Sequence, residues 1–142
     1  MRFMMLMIPK GYATAAPGTM PCAEAVAAMM KYNETLQKAG ILLSLDGLHP
    51  PSSGVRVVFR GGEATVTDGP FAVVKEVLGG YWMIQVNSKD EAVQWAQRCP
   101  AAEGDVIEIR QVHEFSEFPA EVQRAGSGFH EIQAKLASSA PK

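Results

Sequence analysis

Near the start of the chain the apolar residues first form an unbroken run and then recur at helical spacing, and each pattern predicts a different element. An unbroken apolar run at residues 3–8, closed by Pro9, is typical of a strand buried on both faces, or on one face and at an interface. After a loop of small residues, Pro21 suits the first turn of a helix and Gly40 marks its end. Apolar residues recur between them at helical spacing, namely Cys22, Val26, Met29, Leu36 and Ala39. We therefore expect an amphipathic helix that packs on a sheet.

A strand and a hairpin follow this helix. Residues 41–45 are a short apolar strand that is expected to break at residues 46–47. Apolar and polar residues alternate over residues 55–60, the Gly-Gly pair at 61–62 favours a tight turn, and residues 64–67 return as the partner strand. The polar side of this hairpin is expected to face water.

The second half of the main pattern repeats the order of strand, helix and strand. Residues 81–86 are aromatic and β-branched, as in strands. Ser88 with Glu91 three residues later is a capping box that opens a helix, and Pro100 ends it. Residues 106–112 are the last strand. The whole order predicts an α+β domain, a ferredoxin-like split βαβ with a hairpin insert.

The pattern weakens after the last strand. We expect one domain at residues 1–114 and a C-terminal extension at residues 115–142. In the extension Phe129, Ile132 and Leu136 are spaced as one face of a short helix. Such a helix could dock on its own domain or on a second subunit, and the sequence leaves both open.

Composition and charge exclude several classes of function. The chain has 142 residues, 47% of them hydrophobic, and 13 Lys+Arg against 15 Asp+Glu give a net charge of −2. This is typical of one globular domain, and it argues against the basic surface of a nucleic-acid-binding protein. The apolar start is too short to span a membrane and has no features of a secretory signal, so we expect a cytoplasmic protein with no membrane partner.

Metal ligands and cofactor motifs have no support in the sequence. Cys22 and Cys99 are far apart and are expected to be small buried hydrophobic residues. His113 and His130 have no further ligand at metal spacing. The glycine pairs do not form a phosphate-binding loop, so we predict neither a metal nor a nucleotide cofactor. The methionines are expected in the core.

Three ordered motifs resemble a known protein family. The stretch TVTDGPFAVVKEVLGGYWMIQVNSKDEAVQWAQRCP at residues 65–100 resembles the DGPF-containing branch of the YCII-related proteins. The upstream LLSLDGLHP at residues 42–50 and the downstream IEIRQVHE at residues 107–114 resemble the same branch at matching intervals. The family usually carries polar residues at the positions of Val73 and Val74, so no polar role is transferred to these two.

The resemblance implies both an assembly and a site. It implies a ferredoxin-like protomer that pairs face to face with a second copy into a dimeric α+β barrel, so the methionines are expected at this dimer interface as well as in the core. It also implies a cleft with a catalytic His and Asp, which correspond here to His49 of the LHP motif and Asp68 of the DGPF motif. Members of this branch are often linked with alternative sigma factors, which implies a regulatory partner protein.

General chemistry is consistent with a His49–Asp68 pair. Histidine changes protonation near physiological pH, and a carboxylate bonded to one ring nitrogen orients the ring and makes the other nitrogen a better base. Both residues precede prolines in stiff turns, where a scaffold presents functional groups. A purely structural role of Asp68 is equally open, since Asp in an Asp-Gly-Pro turn usually caps its own loop. Glu76 is either a third polar group of the cleft or a solvated charge.

Two functional hypotheses follow. The first is a small homodimeric enzyme that uses His49 and Asp68 for proton transfer on a small organic molecule, in a lyase, isomerase or hydrolase reaction. The second is a non-catalytic module that senses a ligand or binds a regulatory protein linked with alternative sigma factors. Fold alone does not separate them, because one fold hosts many functions.

Overall fold

The computed structural model describes residues 1–72 and 75–140. These described residues form two compact units, which divide between residues 112 and 113. Val73 and Val74, to which no polar role is transferred from the family, lie outside the described residues. The domain boundary expected at residue 114 stays a prediction.

The first unit alternates strands and helices. In chain order its elements are β1 (Arg2–Ile8), α1 (Ala23–Lys38), β2 (Leu42–Gly47), β3 (Val55–Arg60), β4 (Glu63–Asp68), β5 (Gly80–Gln85), α2 (Lys89–Gln97) and β6 (Val106–Gln111). Four strands form an antiparallel sheet in the order β2-β5-β1-β6, while β3 and β4 pair with each other as a hairpin. The α+β prediction is confirmed, and the strand order is compatible with a ferredoxin-like fold.

One face of the sheet carries the core, because alternate residues of a strand point to the same side. The buried residues on this face and its helices are Phe3, Met5, Met7, Tyr32, Leu36, Trp82, Ile84 and Ala92. Tyr32 of α1 meets Trp82 of β5 edge to face, with 5.7 Å between ring centroids. This core fixes α1 over the middle strands of the sheet.

The start of α1 and the residues that it buries differ from those that the sequence pattern predicts. It begins at Ala23, so Pro21 precedes the helix and Cys22 is its exposed N-cap. Val26 is exposed as well, whereas Tyr32, which the pattern missed, is buried. A tyrosine carries a polar hydroxyl, and this one is satisfied by donating a hydrogen bond of 2.8 Å to the Trp95 carbonyl oxygen. The apolar ring can therefore serve as core.

Local signals in the sequence set most of the element ends. Gly40 adopts a φ of 73° just after α1, a left-handed conformation that glycine accepts without strain. The Ser88 hydroxyl accepts a hydrogen bond from the Glu91 amide at 3.1 Å and caps α2. The expected break of β2 at residues 46–47 is wrong, because Gly47 still pairs with Gly80.

The hairpin of β3 and β4 is amphipathic and exposed on both faces. Its two turn glycines, Gly61 and Gly62, have φ values of 60° and 81°, as a tight hairpin turn requires. Cross-strand register places Val55, Val57, Phe59, Ala64 and Val66 on one face. Phe59 is 80% exposed and Val66 is 65% exposed. The expectation that the polar side faces water holds, but the apolar side of this chain faces water too.

The second unit is helical. A short 3-10 turn at Phe115–Glu117 precedes α3 (Ala120–Ala125) and α4 (Phe129–Ser139). The Phe115 and Phe129 rings stack with 5.4 Å between centroids, which joins the turn to α4. The helix expected around Phe129 and Leu136 is thus present, although Leu136 is exposed.

Candidate functional site

His49 lies in a rigid segment that leaves the end of β2. Pro50 after it is fully buried, and the 3-10 turn Pro51–Ser53 follows at once. The Pro50 and Pro51 carbonyl oxygens accept hydrogen bonds from the amides of Ser53 and Gly54 at 3.0 and 2.9 Å. His49 itself is exposed, so a buried proline anchors the turn and leaves the imidazole accessible.

The Asp68 turn packs directly against this segment. The Gly69 amide donates a hydrogen bond of 2.8 Å to the Gly54 carbonyl oxygen. A Cβ at Gly69 would overlap the carbonyl oxygen of Pro51, so the two backbones meet at a distance that only glycine permits. The next peptide bond, Gly69-Pro70, is cis. Two motifs that are about twenty residues apart in sequence are therefore neighbours in space.

The side chains of His49 and Asp68 are both exposed at the surface of these joined turns. Asp68 is the last residue of β4 and pairs with Val55 across the hairpin. Within the described part of the chain, no hydrogen bond or ion pair joins the imidazole to the carboxylate. The structure thus brings the two turns together without pairing the two side chains.

A cleft of about 530 Å³ opens beside His49. Its lining includes Pro9, Tyr12, Met20, Pro21, Leu48 and His49. Asp68 is not among the residues that line it. No Lys, Arg, Asp or Glu lies among the described lining residues, so His49 is the ionisable base that this cleft presents to a ligand.

The far wall of the cleft comes from the loop between β1 and α1. The Tyr12 hydroxyl donates a hydrogen bond of 2.6 Å to the Leu48 carbonyl oxygen, next to His49. The Ser52 hydroxyl donates one of 2.8 Å to the Ala15 carbonyl oxygen. The sequence predicted this stretch only as a loop, and a lone tyrosine among small residues was the signal that could have marked it as functional.

Met20 departs from the interpretation of the methionines as core or interface residues. It is 74% exposed and lines the cleft, whereas Met5 and Met7 are buried in the core as expected. A flexible, polarizable methionine at a cleft mouth adapts to ligands of different shape. Met20 therefore joins Tyr12 as a residue of the site that the sequence pattern missed.

The ionisable groups around the core have a structural role. Burial raises the pKa of the Tyr32 phenol, so its hydroxyl stays protonated and donates to the Trp95 carbonyl oxygen. Burial also raises the pKa of Cys99 to about 11, with a smaller contribution from the Asp105 carboxylate. The prediction that both cysteines are buried is wrong for Cys22, because it caps α1 at the surface.

The two cysteines are expected to differ sharply towards iodoacetamide. At about pH 8 the raised pKa of Cys99 leaves a thiolate fraction about 10²-fold below that of an ordinary thiol, and the thiolate is the reactive form. Peptide mass spectrometry over time should show early modification of Cys22 and late modification of Cys99. In concentrated guanidinium chloride the two rates should converge. Equal rates in the folded protein would contradict this assignment.

Neither a metal cluster nor a membrane-spanning helix is found among the described residues. No group of three His, Cys, Asp or Glu side chains there is placed to hold a metal ion. In the same ranges, every helix is too short or too polar to cross a bilayer.

Comparison with known proteins now identifies the family. The model of the YCII-related domain matches residues 1–116, which is most of the chain. This protein belongs to the YCII-related family. An uncharacterised protein of Rhizobium meliloti is 38% identical to it over 60 residues. That match covers 42% of this chain, and the chain spans about half the length of that relative (48%).

The YCII-related match includes both turns of the candidate site. His49 and Asp68 lie within residues 1–116, as do the cleft residues Tyr12 and Met20. The match ends at the second residue of the 3-10 turn that starts the helical unit, so α3 and α4 lie outside it. The family therefore corresponds to the sheet unit and its cleft.

Proposed function

We propose that this YCII-related protein belongs to the DGPF branch and is an enzyme that moves a proton on a small organic molecule. The contact of Gly69 with Pro51 and Gly54 is the observation that carries the proposal. It holds the Asp68 turn against the His49 turn at the edge of the apolar cleft, and a backbone contact this close fixes relative position better than side chains do.

His49 is the proposed base, and Asp68 is the proposed positioning residue. In this mechanism a ring nitrogen of His49 removes a proton from a C–H bond next to a carbonyl group and returns it to the same or a neighbouring atom. Both side chains are exposed, and the mechanism requires the Asp68 carboxylate to turn towards the second ring nitrogen when a ligand binds. The carboxylate then orients the ring and stabilises its protonated form.

The proposal includes a homodimer. The face of the sheet opposite the core carries Met4, Leu6, Ile8, Tyr81 and Met83, and we call this set the second face. Glu108 and Arg110 of β6 and Asp46 of β2 border it on the same side of the sheet. Four side chains of the second face are only half-buried within one chain. A second copy packed face to face would remove this apolar surface from water, as the dimeric α+β barrel implied by the resemblance does.

The alternative is a module that senses a ligand or binds a regulatory protein. Two observations favour it: the unpaired state of His49 and Asp68, and the exposed apolar face of the hairpin around Phe59. Large exposed apolar patches mark interaction surfaces. The two functions differ in one measurable property, because a sensor binds its ligand without chemical change.

Hydrogen exchange on bound ligands tests the proposal. Uncharged ketones and lactones are screened by thermal shift, and those that stabilise the protein are incubated with it in D2O and followed by NMR. The wild type is expected to exchange a C–H next to the carbonyl, His49→Gln to lower the rate by on the order of 10²-fold, and Asp68→Asn to lower it less.

Glu76 provides the matched control for this measurement. It is exposed and lies close in sequence to the DGPF motif, so Glu76→Gln removes the same charge as Asp68→Asn and is expected to leave the rate unchanged. Exchange that persists in His49→Gln would contradict the role of His49. Ligands that bind without any exchange would favour the sensing module.

A further inference from the structure

A second cavity of about 190 Å³ adjoins the cleft. Gly47 and Gly79 line both spaces. The second cavity is also lined by Met7, Met29, Asn33, Leu45 and Trp82, which come from β1, α1, β2 and β5. It therefore lies on the α1 side of the sheet and meets the His49 cleft at Gly47 and Gly79.

Glycines lie where the two spaces meet. Gly47 pairs with Gly80 in the sheet, and Gly79 is the residue before Gly80. A Cβ at Gly79 would lie 2.5 Å from Pro9 Cγ, and a Cβ at Gly80 would lie 2.8 Å from the Asp46 carbonyl oxygen. Neither position accepts a larger residue without displacement of its neighbour. Glycine at these positions therefore places no side chain between the two spaces.

Asn33 is the polar group on the α1 side of this cavity. The Trp82 indole N–H donates a hydrogen bond of 2.8 Å to Asn33 Oδ1. Because an indole nitrogen is only a donor, this bond fixes which end of the amide is oxygen and directs the NH2 group elsewhere. Among the described residues, no acceptor is recorded for the Asn33 NH2 group.

The other described residues around the cavity offer the ligand no side-chain donor that would compete with the Asn33 NH2 group. Met7, Met29 and Leu45 are apolar. Strand alternation sends the side chains of Asp46 and Tyr81 to the opposite face from Leu45 and Trp82, and the Tyr81 hydroxyl donates to Asp46 there, at 3.2 Å. None of the described residues that line either space is a lysine or an arginine.

We propose that the second cavity is a specificity subsite in which the Asn33 NH2 group donates a hydrogen bond to an uncharged carbonyl or ester oxygen of the ligand. The apolar body of the same ligand lies in the cleft beside His49. An ionised carboxylate does not suit the subsite, because burying it without a cation is costly. This inference rests on the proposed function in one respect, namely that the His49 cleft is the ligand site.

Isosteric probes test the subsite. The ketone 4-phenylbutan-2-one has an acceptor oxygen, and 2-methyl-4-phenylbut-1-ene has a CH2 group in its place. NMR titration gives the Kd of each probe for the wild type and for Asn33→Asp, which keeps an acceptor for the Trp82 indole but removes the NH2 donor. The ratio of the two Kd values is expected to shift by about 5- to 10-fold against the ketone in Asn33→Asp.

Gln37 provides the matched control. It is an exposed amide of the same helix, so Gln37→Glu makes the same chemical change without touching the cavity and should leave the Kd ratio at its wild-type value. In the wild type, the ketone alone should shift the Asn33 side-chain NH2 resonances. This second measurement stands even if Asn33→Asp does not fold.

Three outcomes would overturn the subsite: an unchanged Kd ratio in Asn33→Asp, ketone binding that leaves the Asn33 NH2 resonances in place, or no binding of either probe. The proposed function fails separately. Binding that depends on Asn33 without C–H exchange in D2O would support the subsite and contradict the proposed enzyme. Exchange that depends on His49 without an effect of Asn33 would support the enzyme and contradict the subsite.

Discussion

A Gly69→Ala variant is expected to lose about 1–3 kcal/mol of unfolding free energy and to separate the His49 turn from the Asp68 turn. The added Cβ would overlap the Pro51 carbonyl oxygen and would lie 3.2 Å from the Gly54 carbonyl oxygen. Both are backbone atoms, which cannot rotate away as a side chain does. The hydrogen bond of 2.8 Å from the Gly69 amide to Gly54 would lengthen or break as the chains move apart.

Denaturant unfolding measures this loss, and Gly54→Ala is its matched control. Gly54 lies on the other side of the same contact in an extended conformation with φ of −96° and ψ of 173°. A Cβ there would lie 3.4 Å from the Pro51 carbonyl oxygen, an ordinary contact, so the control should lose less than about 1 kcal/mol. Equal stability of the two variants would show that the turns do not depend on their close approach. The same comparison in D2O exchange would test whether that approach matters for activity.

The order of elements could be predicted because each has a local cause. Alternation at residues 55–60, the glycine pair at 61–62 and the Ser88 cap of α2 act within a few residues, and all three are present in the structure. The Glu91 carboxylate accepts from the Asn87 amide instead of the Ser88 amide, so the capping box forms only in its Ser88 half. The ends of α1 and β2 were less predictable. β2 continues to Gly47 because β5 supplies a partner, which is a long-range effect.

The candidate site shows the same difference between local signals and long-range contacts. The motifs around His49 and Asp68 are local, but their contact depends on Gly69 fitting against Pro51, which no sequence period reveals. Asn33 was missed for a related reason. Its role depends on Trp82, 49 residues away, which orients the amide. An isolated asparagine on a helix carries no periodic signal, so only the fold identifies it.

A Met83→Glu variant is expected to be monomeric at concentrations at which the wild type is a dimer. Met83 lies in the middle of the second face and pairs in the sheet with Met4. It is half-buried in one chain, so a glutamate there can keep its carboxylate in water in the monomer. In a face-to-face dimer two such carboxylates, one from each copy, would lose water, while Arg110 lies two strands away beyond Met4, so we expect a net cost of about 3 kcal/mol per dimer. That cost weakens association by about 10²-fold.

Sedimentation over a range of protein concentrations measures this effect directly. The wild type is expected at twice the chain mass of 15.3 kDa, and Met83→Glu at the mass of one chain. Gln97→Glu at the exposed end of α2 adds the same charge on the core side of the sheet, so it should sediment as the wild type does. If Met83→Glu dimerises like the wild type, the second face is not the interface, and the exposed apolar face of the hairpin becomes the surface to test. Because Phe59 is 80% exposed there, Phe59→Lys would then be the informative variant.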